Sequence, residues 1–108
     1  MMPVLWVKAG VCGQETTIEV RKISQTKVSI TFQTTCEHVQ KLALELKELN
    51  IGEEMDRPMN LTTTYILASK HLCRSSCVIP AAILKGVEVA ADIFLPGPIA
   101  IEFVEGAV

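Results

Sequence analysis

Val28-Ser29-Ile30-Thr31-Phe32-Gln33 alternates apolar and polar side chains without a break. Successive side chains of an extended chain point to opposite faces. Val28, Ile30 and Phe32 therefore share one face, and Ser29, Thr31 and Gln33 the other. A strand that is dry on one side and wet on the other suits an antiparallel sheet covered on one face. Upstream, Ser24-Gln25-Thr26 turns the chain, and residues 16–23 repeat the pattern. There Thr16, Ile18 and Val20 oppose Thr17, Glu19 and Arg21. Val4-Leu5-Trp6-Val7-Lys8 reads as a first strand. Gly10-Val11-Cys12-Gly13 then makes a turn whose glycines are free to take positive φ.

Downstream the period lengthens to that of a helix. Thr34 or Thr35 can cap a helix that starts near Cys36 and turns Val39, Leu42, Ala43, Leu46 and Leu49 inward. Residues 50–60 hold Gly52, Pro58 and the charge run Glu53-Glu54-Met55-Asp56-Arg57, which reads as a solvated connection. A second helix covers residues 61–72, capped by Asn60 or a nearby threonine. Cys73-Arg74-Ser75-Ser76-Cys77 is a loop. Pro80 suits the first turn of a third helix, apolar on most sides and running to Leu95. Gly86 inside it costs about 1 kcal/mol against alanine, which implies close packing on a neighbouring backbone. Pro96-Gly97-Pro98 ends that helix, and Ile99, Ile101 and Phe103 alternate as a final strand. The expected order is βββαααβ. This is an α+β two-layer sandwich in which a four-stranded, mainly antiparallel sheet carries three helices on one face.

Residues 1–108 make one domain by length, with a hydrophobic fraction of 49% that supplies a single core. Ten basic residues are scattered among twelve acidic ones for a net charge of -2. With no basic stripe and little aromatic interleaving, nucleic-acid binding is not expected. No run approaches the roughly 20 apolar residues of a membrane span, and the start Met1-Met2-Pro3-Val4-Leu5-Trp6 has no basic signal-like region. A cytoplasmic location follows as the expectation, with thiols kept reduced.

The four cysteines, Cys12, Cys36, Cys73 and Cys77, fall outside the helical and strand stripes. If each element reverses the direction of the one before, all four reach the same end of the fold, with His38 and His71 beside them. Cys36 and Cys77 would then lie at helix starts, where unpaired N–H groups favour a thiolate, with Lys70 and Arg74 adding positive charge. Four thiolates match a tetrahedral zinc site or the ligands of an iron–sulfur cluster. Cys73-x3-Cys77 has an allowed pair spacing. One close pair and two distant singles lean towards a cluster, because a larger group draws ligands from separate loops. His38 and His71 are candidate additional ligands. The first expectation is thus metal or iron–sulfur binding through Cys12, Cys36, Cys73 and Cys77. The second is an interaction or assembly module with inert cysteines, with an unidentified protein partner or a homodimer formed through a sheet edge. The third is a thiol-based redox protein or cysteine-nucleophile enzyme, pairing Cys36 with His71 or oxidising Cys73 with Cys77. An even cysteine count permits three disulfide pairings.

The segments Ala9-Gly10-Val11-Cys12-Gly13, Cys36-Glu37-His38-Val39-Gln40-Lys41-Leu42, Ala68-Ser69-Lys70-His71-Leu72-Cys73 and Pro80-Ala81-Ala82-Ile83-Leu84-Lys85 resemble a family of small single-domain proteins of unknown function from anaerobic microbes. The resemblance spans nearly the whole chain. It implies a stand-alone domain and an anaerobic cell, where oxygen-sensitive clusters are common. It implies no activity.

Overall fold

A computed structural model describes residues 2–106. The three alternating segments form strands β1 (Val4–Lys8), β2 (Glu15–Lys22) and β3 (Lys27–Thr34). They pair antiparallel in chain order, with Ile18 opposite both Leu5 and Phe32, and Val20 opposite Ile30. Of the expected inward set, Thr16, Ile18, Val20, Val28 and Ile30 are buried and Phe32 is half-buried, while the other face stays wetter.

The fourth strand lies elsewhere than expected. Helix α1 (Glu37–Glu45) is followed at once by β4 (Glu48–Asn50), which pairs antiparallel with the start of β3. Leu49, expected on the helix stripe, instead faces Val28 across this ladder. Helical spacing from Val39 to Leu49 fits the sequence equally well. The ladder prevails because Ile30 N–H bonds Lys47 O at 2.9 Å and Ile51 N–H bonds Thr26 O at 2.8 Å. Both bonds come from residues distant in sequence, which local periodicity does not register.

Residues 50–60 are not the expected solvated connection. Helix α2 (Ile51–Asp56) starts there, its N-terminus capped by Asn50, whose side chain accepts from Glu53 N–H at 3.0 Å. A short 3-10 turn (Met59–Leu61) leads to α3 (Thr63–His71), capped by Thr62, which accepts from Tyr65 N–H at 3.2 Å. The last helix, α4 (Ile79–Ala90), places Pro80 in its first turn as expected. The described residues thus hold four α-helices where three were expected.

Helix α4 covers β1 and β2, and α1 covers β3. Helix α3 packs chiefly on α1 and α4 rather than on the strands, so it forms an outer layer over the expected two. Gly86 sits where α4 crosses the sheet. A Cβ there would come within 2.7 Å of Val20 Cγ2 and 2.9 Å of Leu5 Cδ1. The close approach is real, but it is to side chains, not to backbone as expected.

Helix α4 stops short of Leu95. Asp92 adopts φ 61°, Asp92 N–H bonds Val89 O at 3.1 Å, and Ile93 N–H bonds Glu88 O at 2.9 Å. These two reversed bonds around a left-handed residue form the Schellman ending, here built on Asp rather than the usual Gly. Beyond it, the alternation of Ile99, Ile101 and Phe103 finds no strand partner among the described residues. The chain leaves the domain, and Ile101 is 82% exposed.

Candidate functional site

The sheet register brings two of the four cysteines to one rim. Thr16 faces Thr34, and their hydroxyls lie 2.7 Å apart. One residue further on, Thr35 N–H bonds Glu15 O at 3.2 Å and Thr35 Oγ1 donates to Gln14 Oε1 at 2.7 Å. The turn that carries Cys12 is therefore buttoned to the segment that carries Cys36. Gly10 and Gly13 flank Cys12 with φ 88° and 73°, and Gly13 N–H closes on Gly10 O at 2.9 Å. Cys12 itself is exposed, its sulfur 3.9 Å from Ala9 O.

Cys36 is the N-cap residue of α1, but its side chain does not cap. Its own N–H is taken by Thr34 Oγ1 at 3.1 Å. Cys36 and Cys77 are both half-buried and pack against the hydrophobic core, one from the start of α1 and the other just ahead of α4. Cys73 is exposed at the start of the loop after α3. It lines, with Arg74, Cys77, Tyr65 and Pro80, an open depression of about 320 Å³.

The electrostatics of Cys77 correct one expectation. Burial pushes its thiol above the ordinary range. The backbone N–H of Ile79 opposes this, and negative charge on Cys36, Cys73 and Cys12 adds to the rise. The helix start was expected to favour a thiolate at Cys77; desolvation outweighs it. Among the described residues no group of three or more His, Cys, Asp or Glu side chains is set to hold a metal ion. All four cysteines are free thiols.

Of the two histidines, only His38 stays at the Cys36 end of α1. His38 is exposed in the first turn of α1. His71 bonds Glu45 at the other end of α1 from Cys36, and Lys70 bonds the same carboxylate at 3.3 Å. Nine helical residues separate those ends by about 13 Å at 1.5 Å each. The expected pairing of Cys36 with His71 is thereby overturned, and Lys70 places its charge on Glu45 rather than on a thiol. With Cys77 pushed up and His71 held at the far end of α1, neither supplies an activated Cys–His pair.

One polar site went unread in the sequence. Glu54, taken as part of a solvated charge run, is 3% exposed. Its carboxylate accepts from Thr63 N–H at 2.8 Å, Thr64 N–H at 3.1 Å and Thr64 Oγ1 at 2.7 Å. It satisfies the open N–H groups at the start of α3 and welds α2 to that helix. The available signal was Asn50-x-x-Glu53, the spacing of a capping box, which announces a helix through Glu54.

A family model described as "Family of unknown function (DUF6951)" matches residues 4–103. The chain belongs to the DUF6951 family. This agrees with the uncharacterised single-domain family that the sequence resembles. The match carries no activity and does not bear on an anaerobic origin. No curated protein and no solved structure matches the chain. For this DUF6951 member, as for the described residues generally, no helix is long and apolar enough to cross a membrane.

Proposed function

We propose that the rim binds a thiophilic metal, a zinc ion or a small iron–sulfur cluster, through Cys12, Cys36, Cys73 and Cys77. The observation that supports this reading is a set of four free thiols, with Cys36 and Cys77 packed against the same core and Cys12 and Cys73 exposed on turns. Cys36 and Cys77 supply the fixed half of the ligand set. Cys12 and Cys73 supply the exposed half, and assembling the site requires their turns to close on Cys36 and Cys77. The Cys12 turn has open space around it, since nothing lies within 4 Å of a Cβ built on Gly10 or Gly13. Backbone N–H groups next to Cys77 would steady thiolate charge once metal replaces the protons. Each ligating thiol must release its proton, so uptake is expected to strengthen as pH rises towards the elevated range of Cys77.

The test is metal analysis and absorption spectroscopy of protein purified without oxygen, followed by Co²⁺ titration of metal-free protein. Intense thiolate-to-cobalt absorption at one equivalent, lost in a Cys36→Ser/Cys77→Ser double variant, is the expected result for a mononuclear site. Broad absorbance near about 400 nm with bound iron and sulfide is the expected result for a cluster. Protein that carries no stoichiometric metal and takes up neither cobalt, zinc nor iron would overturn the reading.

A further inference from the structure

The sheet ends in an open edge, and the same chain carries an unpaired strand-like segment. In β1, Ala9 N–H bonds Gln14 O and Pro3 O receives Val20 N–H, so the odd-numbered residues face β2. Val4, Trp6 and Lys8 then turn their N–H and C=O groups to the outer side, where no described strand pairs with them. Open edges of this kind are templates for an added strand. Val4 and Trp6 flank the edge as exposed apolar side chains.

We propose that residues 99–104 of one copy of this chain add as a strand to the open edge of β1 in a second copy, reciprocally, giving a two-fold dimer. The alternation fits. With Ile99, Ile101 and Phe103 on the core side beside Leu5 and Val7, Glu102 falls on the face that carries Lys8. Ala100 and Val104 share that outer face with Val4 and Trp6. The route explains why the acceptor is a second copy. The left-handed turn at Asp92 points the chain off α4, and Pro96-Gly97-Pro98 follows as a stiff spacer that lacks two backbone donors. In the single chain the segment stands clear of its own edge, with Phe103 wholly exposed. The chain's longest dimension of 47 Å, against 29 and 25 Å, reflects that reach.

The experiment is sedimentation equilibrium of the full chain with chelator and thiol reductant present, so that neither metal nor disulfide links copies. The expected species is a dimer of the 11.8 kDa chain. With the added strand antiparallel, the even-numbered residues of the segment face Val4, Trp6 and Lys8, so Glu102→Pro removes a ladder donor from a segment that is no part of the monomer core. It should weaken dimerisation at least about 100-fold with unchanged circular dichroism. Hydrogen exchange should show Val4, Trp6 and Lys8 amides protected in the native dimer and released in the variant. A native chain that stays monomeric at about 100 µM would overturn the proposal, as would a Glu102→Pro dimer of undiminished affinity. A monomer with residues 99–103 protected would place the segment on its own edge, and open-ended polymers would replace reciprocal with head-to-tail exchange. Either result also overturns it.

Discussion

Residues 51–61 and residues 92–106 invert one another. The first stretch is polar and charged, yet it drives a carboxylate, Glu54, into the interior. The second is rich in Ile, Leu, Phe and Val, yet it leaves Ile101 and Phe103 in water. The difference lies in partners, not in hydropathy. Glu54 meets two backbone N–H groups and one hydroxyl at the start of α3, which replace its lost hydration. Phe103 meets no surface within its own chain, because the Asp92 turn carries it away. Transfer preference states what a side chain would gain by burial, and topology decides whether a place exists.

That contrast breaks most readily at Glu54. Glu54→Ala strands three donors beside α3 and should cost about 3 kcal/mol, seen as a drop of about 15 °C in melting temperature. Glu54→Gln keeps one good acceptor and should lose less. A melting temperature unchanged in the alanine variant would mean that water serves the helix start as well as the carboxylate does. Between the two stretches lies the crossing of α4 over the sheet. Gly86→Ala gains about 1 kcal/mol of helix propensity, but its methyl group meets Val20 and Leu5 below van der Waals distance. Overpacking of this kind costs about 1–3 kcal/mol, so urea unfolding should show a net loss of about 1 kcal/mol.

Glu45 is the exposed counterpart of Glu54. The side-chain bonds from His71 and Lys70 hold its carboxyl below the ordinary range. A depressed carboxyl contributes stability that is present above the unfolded-state range and is lost as pH falls through the folded-state value. In Glu45→Gln, that part of the acid-side decline in melting temperature should flatten, and the profile at neutral pH should move little. The smallest effect belongs to the tail. Phe103→Asp, studied at concentrations dilute enough to keep the chain monomeric, should shift unfolding free energy by less than about 0.5 kcal/mol. A larger loss would show that the tail packs on its own domain and would erase the comparison.

These elements also separate what was legible in the sequence from what was not. The strands from Val4 to Thr34 were readable because period-two alternation, short turns and antiparallel neighbours are all local signals. The starts of α3 and α4 were readable from a threonine cap and Pro80, whereas α1 begins beside Cys36 as expected but without the expected cap from Thr34 or Thr35. Leu49 was misread because its position satisfies the helix stripe as well as the ladder to Val28, and only the distant partner decides. Residues 51–56 were misread because Gly52 and the charge run outweighed the Asn50 cap. The end of α4 was hidden because its left-handed residue is Asp92, not Gly. Among the candidate ligands, Cys12 and Cys36 could be placed by strand direction alone. His71 could not, because its bond to Glu45 depends on how α3 lies across α1.

Helix α4 is the last regular element of the described chain and the one that covers β1 and β2. During synthesis, strands joined by short turns have all their pairing partners early, well before their cover exists. The nascent sheet must wait with Ile18 and Val20 bare until some sixty further residues have been added. A ribosome stalled inside the 73–77 loop would therefore hold out a paired but one-sided sheet, and that interval is when a chaperone would find this chain.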